Sequence, residues 1–301
     1  MVGEIFEEGE ICAMKNASEK AFAKINLFLD VLSVRDDGFH EVRTVMHSIT
    51  LADELTFSLF EGNDKSHTLC VIGDDGIPRG EDNLVLRAVK AFESRAPLCG
   101  SLEITLKKTI PSAAGLGGGS ADAAATLRAL NRLSDIKLSD SELMEIAAFL
   151  GSDVPFCLKE GAAICLGRGE RVESISPIND LDLVIVKTDE SVSTPIAYRR
   201  LDEMYNFFRS ARADEGREAS FEAVLNGKVD CLYNVFEDAI LPICPKANSA
   251  KKQLISLGAS AAMMSGSGPS VFGIFENENA AKNACDKLSA LGFNAFVAKS
   301  I

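Results

Sequence analysis

Between Pro111 and Leu130 the chain reads "PSAAGLGGGSADAAATLRAL", with glycine at 115, 117, 118 and 119. Upstream, "SLEITLKKTI" alternates apolar and polar residues with the period of a strand, and Pro111 closes it. Downstream stands an Ala-rich run of good helix formers. A strand, a glycine-rich turn and a helix in that order make an anion site. The missing side chains let several backbone N–H groups approach a phosphate, and the helix N-terminus adds a partial positive charge. The same residues also suit a tight turn that brings a small-residue helix close against a sheet. Ser120 reads as the helix N-cap, as a hydroxyl reaching phosphate or magnesium, or as both. Neither of the commonest phosphate loops fits: no lysine follows at the Walker A position, and Ser120 stands where G-x-G-x-x-G needs its third glycine.

The totals narrow the partners. A formal charge of -13, from 44 acidic and 31 basic residues, repels polyanions and anionic membrane surfaces, so the expected partners are small molecules and not nucleic acid or membrane. The eight cysteines form no C-x-x-C pair and sit mostly in apolar runs, as reduced buried thiols do. No run of about 18 apolar residues is present to span a bilayer. The first twenty residues carry no basic-then-apolar leader pattern and read as a loose extension. The composition leaves the oligomeric state open.

Along the chain, "FAKINLFL" alternates in the manner of a strand, which points Lys24 and Asn26 the same way roughly 7 Å apart. Asp37-Gly38 is a turn signal that delivers Phe39 and His40 to the next extended run. "DNLVLRAVKAFES" has helical apolar spacing, with Asp82 or Asn83 placed to cap it. "SDSELMEIAAFLG" carries a capping box at Ser139 and Glu142 and a stop at Gly151. Asp153 follows at once, with Pro155 preventing that helix from continuing. In the later part, strand "LDLVIVKT" and helix "TPIAYRRLDEMYNFFRS" precede a polar stretch, "SARADEGREAS", expected to be exposed. A helix, two strands joined across "GSGP", a helix and a final strand complete a ferredoxin-like order. The expected units are an extension over 1–20, a first domain over 21–176 and a second over 177–301.

The motifs together resemble one family. "PSAAGLGGGSADAA" is similar to the second signature of the GHMP kinases (galactokinase, homoserine, mevalonate and phosphomevalonate kinases), and "MMSGSGPSVFGIF" to their third. "AKINLFLDVLSVRDDGFHEVRTVM", "EDNLVLRA", "GSDVPFCLKEGAAICLGRGE" and "TPIAY" resemble the branch that phosphorylates a cytidyl diphosphate sugar alcohol in non-mevalonate isoprenoid synthesis. The resemblance runs from about Ala21 to the C-terminus. It implies an α+β fold of two domains: an N-terminal ATP-binding domain of the ribosomal protein S5 domain 2-like type and a C-terminal ferredoxin-like domain, with the active site in the cleft between them. It further implies ATP and Mg2+ as cofactors and a cytoplasmic setting. Another small-molecule kinase of the superfamily, acting on homoserine or mevalonate, and a non-catalytic nucleotide- or sugar-binding member are the competing expectations.

Carried over position by position, the resemblance makes Asp153 the catalytic acid-base residue and Lys24 its cationic partner. A carboxylate after a helix C-terminus faces the negative end of the dipole, while a nearby lysine favours its ionised form. The loop Pro111, Ser112, Ala113, Ala114, Gly115, Leu116, Gly117, Gly118, Gly119, Ser120 and Ala121 is expected to wrap the ATP phosphates, with Asn83 and Leu84 at the adenine. Asn26 is expected to hydrogen-bond the substrate. Phe39 and Tyr198 are expected to sandwich a cytosine whose edge His40 reads, with Thr194, Pro195, Gly266 and Gly268 close by. Two departures from the family pattern stand out. Phe39 and Tyr198 exchange the usual tyrosine and phenylalanine, and Ala121 replaces a second serine, leaving Ser120 as the hydroxyl at that place.

Overall fold

The computed structural model describes residues 14–74, 76–178, 181–205 and 215–301. Two long strands, β1 (Met14–Val34) and β2 (His40–Glu61), pair antiparallel around the Asp37-Gly38 turn. That turn is closed by Arg35 N donating to Phe39 O at 2.7 Å, and Gly38 sits at φ +82°, where a side chain would be strained. β1 reaches back to Met14. The stretch from Met14 to Lys20, expected to be loose, pairs in register with Phe60 down to Glu54. Its residues alternate between half-buried and exposed but are mostly polar, so it lacks the apolar parity that marks a strand in sequence. Residues 1–13 lie outside the described residues.

β3 (His67–Ile72) and β4 (Gly100–Lys107) extend this sheet on the β2 side, in the order β3-β4-β2-β1, and the hairpin β5 (Ala162–Gly167) and β6 (Arg171–Ile175) joins it through β2. Four helices cover one face: α1 (Leu84–Glu93), α2 (Gly118–Leu133), α3 (Asp140–Leu150) and α4 (Val154–Lys159). α2 lies close against the sheet because Ala121, Ala123, Ala124, Ala125 and Ala129 are all buried and add almost no thickness. The predicted capping box of α3 is present, with both reciprocal bonds between Ser139 and Glu142 formed. α3 stops at Gly151, and Pro155 stands in the first turn of a new helix, α4.

The second half begins with β7 (Asp182–Lys187), α5 (Thr194–Tyr205) and α6 (Glu215–Leu225). It continues through β8 (Tyr233–Asn234), α7 (Phe236–Ile240) and α8 (Pro245–Ser256), then β9 (Ala261–Met264), β10 (Val271–Phe275), α9 (Glu278–Ala290) and β11 (Asn294–Lys299). The four-stranded antiparallel sheet runs β11-β7-β10-β9, the predicted ferredoxin-like arrangement. β8 leaves that unit and pairs parallel with β1 at Phe28 and Leu29, so the two halves share the first sheet. An apolar cluster joins Ile25, Leu27 and Phe28 of β1 to Leu183, Ile185 and Phe272 of the second sheet.

The end of the stretch expected to be exposed is the start of α6. Arg217 is buried and pairs with Asp30 at 3.3 Å, and Phe221 packs edge-on against Phe28 with ring centroids 5.2 Å apart. The acidic segment near Asp214 lies outside the described residues.

Candidate active site

The fold aims Lys24, in mid β1, under the glycine loop. Lys24 N donates to Leu116 O at 2.9 Å, so strand and loop are joined by backbone. The loop's second anchor is the β9-β10 turn, where Ser265 Oγ donates to Gly115 O at 3.0 Å. The bare backbone is needed for this closeness. Gly115 and Gly117 have φ of +73° and +71°, and a Cβ on Gly115 would run into the Ser265 carbonyl oxygen. A Cβ on Gly266 would stand 3.2 Å from Lys24 Nζ.

Lys24 and Asn26 share one side of β1, as their spacing predicts. Lys24 Nζ donates to Asn26 Oδ1 at 2.8 Å, and Asn26 Nδ2 donates to Thr44 Oγ1 at 2.8 Å. Thr44 Oγ1 in turn donates to Phe28 O at 2.6 Å, which completes a buried relay with fixed orientation. The free side of the ammonium faces Asp153 Oδ2 at 3.6 Å. Asp153 was expected to feel the C-terminus of α3; it also stands as N-cap residue of α4, with no capping hydrogen bond from its side chain. Its carboxylate is about one-third exposed and is held in the cleft by its place between two helices.

The cleft has a volume of about 500 Å³. Its wall includes Lys24, Asn26, Asn83, Leu84, the run 111–120, Asp153, Thr194, Tyr198 and Gly266. Of the predicted residues, Ala121 is buried in the α2 core and Gly268 packs its backbone on Met264; neither belongs to the wall. Asn83 is the N-cap of α1, its Oδ1 accepting from Val85 N at 2.9 Å, and it lines the cleft as well. Ser120, by contrast, is not a cap. Gly117 in left-handed conformation occupies that position, which leaves the Ser120 hydroxyl in the first turn of α2, facing the cleft.

An adjoining cavity of about 560 Å³ holds Phe39, His40, Pro195 and Tyr198 and shares Ser120, Asp153 and Thr194 with the first. Thr194 Oγ1 lies 3.1 Å from Ser267 Oγ, linking α5 to the β9-β10 turn. Phe39 is 52% exposed at the rim, whereas Tyr198 lies over His40 with centroids 4.5 Å apart and meets Phe236 edge-on at 4.9 Å. Burial, then the Asp153 and Asp202 carboxylates, push the Tyr198 phenol up, so it stays protonated at neutral pH. His40 Nε2 lies 2.7 Å from Asp202 Oδ1, which fixes the ring.

Sequence reasoning passed over a buried charge cluster beneath the loop. Lys108, at the end of β4, reaches Asp53 and Asp122 together, with 2.8 Å to Asp122. Asp53 Oδ1 also accepts from Thr109 N at 2.5 Å and Ile110 N at 2.8 Å, and so pins the backbone just before Pro111. Burial, opposed by Lys108, pushes the Asp122 carboxyl up to about 7. Asn234 was also missed: its Nδ2 donates to Met264 O at 2.7 Å and Gly266 O at 2.9 Å, which shapes the second glycine turn. Neither cluster has a local signature, since its members lie far apart in sequence.

Among the described residues no group of three or more His, Cys, Asp or Glu is placed to hold a metal. The oxygens at the junction of the two cavities, Ser120 hydroxyl and Asp153 carboxylate, are of the hard type Mg2+ takes. An ion that arrives on nucleotide phosphates needs only one or two such protein ligands, so the donor set fits it. Among the described residues no helix is long and apolar enough to cross a membrane.

Comparison with known proteins gives a consistent result. Residues 83–161 match the GHMP kinases N terminal domain and residues 214–294 match the GHMP kinases C terminal. The 4-diphosphocytidyl-2-C-methyl-D-erythritol kinase of Pelotomaculum thermopropionicum is 45% identical over 258 residues, covering 84% of this chain and 87% of its own. The crystal structure of a 4-(cytidine 5'-diphospho)-2C-methyl-D-erythritol kinase superposes with a TM-score of 0.79 at 32% identity, over 94% of this chain and 99% of that one. A homoserine kinase from Cytophaga hutchinsonii superposes with a TM-score of 0.70 at 20% identity, over 99% and 98% of the two chains, and shares the fold.

Proposed function

The chain belongs to the GHMP kinases and, within them, to the 4-diphosphocytidyl-2-C-methyl-D-erythritol kinases, and from that membership we propose how its cleft works. The protein is an ATP-dependent kinase that phosphorylates 4-diphosphocytidyl-2-C-methyl-D-erythritol in the non-mevalonate route to isoprenoids. The acceptor is the 2-hydroxyl, and the products are the 2-phosphate and ADP. The observation that carries the assignment of roles is the Lys24 to Asp153 contact of 3.6 Å at the place where the two cavities meet.

Asp153 takes the proton of the 2-hydroxyl as its oxygen attacks the γ-phosphorus, and the bridging oxygen leaves with ADP. Lys24, oriented by Asn26 and Thr44, faces Asp153 and offsets the charge spread over the transferring phosphoryl. The loop 111–120 supplies backbone donors to the β- and γ-phosphates, and Asn83 and Leu84 flank the adenine. Magnesium, when bound with ATP, neutralises phosphate charge; Ser120 is the residue that would hold it. Phe39, His40 and Tyr198 take the cytosine: an apolar ring meets its face, and the histidine, fixed by Asp202, presents one nitrogen to its polar edge. Residues 14–176, with Met14–Lys20 as the start of β1, form the nucleotide-binding unit and 177–301 the second unit, and the reaction takes place in the cytosol.

A coupled ADP-release assay tests this reading with three acceptors: the cytidyl substrate, homoserine and mevalonate. Turnover with the first alone is the expected result. Turnover with either of the others in its place would overturn it.

A further inference from the structure

We propose that Arg168 is a specificity-determining residue that clamps the diphosphate of the cytidyl substrate, a role that rests on the functional reading above. Of the lysines and arginines lining the two cavities, Lys24 and Lys108 face the nucleotide cleft alone and Arg199 the outer cavity alone; Arg168 lines both. The cytosine lies among Phe39, His40 and Tyr198, and the accepting hydroxyl lies at Asp153. The diphosphate joins the two covalently, so it must cross the junction where Arg168 stands.

Charge favours a cation there. The outer cavity carries the carboxylates of Asp153 and Asp202, and a diphosphate placed between them without a counter-charge would be repelled. Lys24 and Lys108 are already committed, the first to Asn26 and Asp153, the second to Asp53 and Asp122. Arg168 meets Glu170 through Nε at a long 3.8 Å, and its guanidinium carbon lies 4.9 Å from the Phe39 ring centroid. A guanidinium on an aromatic face keeps its edge directed outward, and a forked donor matches paired phosphate oxygens.

The turn that carries Arg168 is built to present it. It closes the β5-β6 hairpin as Gly167-Arg168-Gly169-Glu170, with both glycines in left-handed conformation at φ +76° and +109°. Glu170 folds back so that its Oε2 accepts from Arg168 N at 2.6 Å, and Gly169 N donates to Leu166 O at 3.1 Å. A Cβ on Gly167 would stand 2.8 Å from that Glu170 carboxylate, so glycine is required for the fold-back. At the tip of the hairpin the Arg168 side chain is about one-third exposed.

The test uses the full chain carrying Arg168→Met, with Arg168→Lys as the charge-retaining companion. Steady-state kinetics are measured for both substrates, with inhibition constants for CDP and for cytidine, which carries no phosphate. For Arg168→Met we expect KM for the cytidyl substrate to rise about 10- to 100-fold, with kcat and KM for ATP within about twofold of wild type. CDP inhibition weakens in parallel, cytidine inhibition holds, and Arg168→Lys is intermediate. Equal weakening of CDP and cytidine would overturn the clamp, because it would place the effect in the Phe39 stack. A fall in kcat at unchanged KM would overturn it too, as would wild-type behaviour of the Met variant. Failure of the functional reading itself is separately visible, as wild-type enzyme that turns over another acceptor and not the cytidyl one.

Discussion

A Cβ placed on Gly117 would stand 2.9 Å from Lys24 Cγ, closer than a side chain can tolerate without moving. The loop and the lysine are therefore fitted to each other. Gly117→Ala meets two penalties: a left-handed φ of +71°, costing about 1–2 kcal/mol, and displacement of Lys24. Gly119, two residues on and inside α2, has its nearest neighbour to such a Cβ at 3.5 Å, an ordinary contact. Gly119→Ala is expected to stabilise the unliganded protein by up to about 1 kcal/mol, because alanine forms helix better than glycine. Urea unfolding of the two variants gives the signs: a loss for 117 and a gain for 119. Two losses of the same size would contradict this account of the loop.

The two aromatics of the outer cavity separate binding from stability. Phe39→Ala removes a side chain that is half exposed at the rim, so the expected result is a raised KM for the cytidyl substrate with little change in melting temperature. Tyr198→Ala should raise the same KM and also cost about 2–4 kcal/mol, since its ring packs on His40 and Phe236. Kinetics and thermal melts on both variants check the split. An Ala at 198 that melts with wild type would contradict the packing.

Lys108→Met leaves Asp53 and Asp122 buried without their cation. The expected cost is about 3–5 kcal/mol in urea unfolding. Without Lys108 the Asp122 carboxyl, already pushed up to about 7, rises further, so adding Asp122→Asn to the Met variant should recover part of that loss only when unfolding is measured well above neutral pH, where an ionised Asp122 would be stranded. No recovery in the double variant at that pH would mean that the cluster is not held by charge.

The sequence carried the local parts of this architecture in unequal measure. Helix α3 was legible down to its capping box because Ser139, Glu142 and Gly151 are local signals. Lys24 and Asn26 were legible as a pair because strand period alone puts them on one side. The contact of Lys24 with Asp153 was not: it joins positions far apart in the chain, and only family resemblance linked them. Ser120 looked like a cap since serine favours that place, yet Gly117 takes it because the turn needs a left-handed residue there. Met14 to Lys20 hid as a strand behind polar residues, and β8 is too short, at two residues, to carry a period at all. Arg168 was visible only within a motif, for its meaning depends on which cavities its hairpin separates.

The central claim, that Asp153 moves the proton while Lys24 and the glycine loop hold the phosphoryl group, is tested most directly by Asp153→Asn in a single-turnover ADP-release assay with the cytidyl substrate. The side chain is partly exposed and caps no helix end through a hydrogen bond, so the variant should melt with wild type. The predicted result is a chemical step slowed by about 10²- to 10⁴-fold with ATP binding intact. A variant that folds, binds ATP and transfers phosphoryl at close to the wild-type rate would contradict the account.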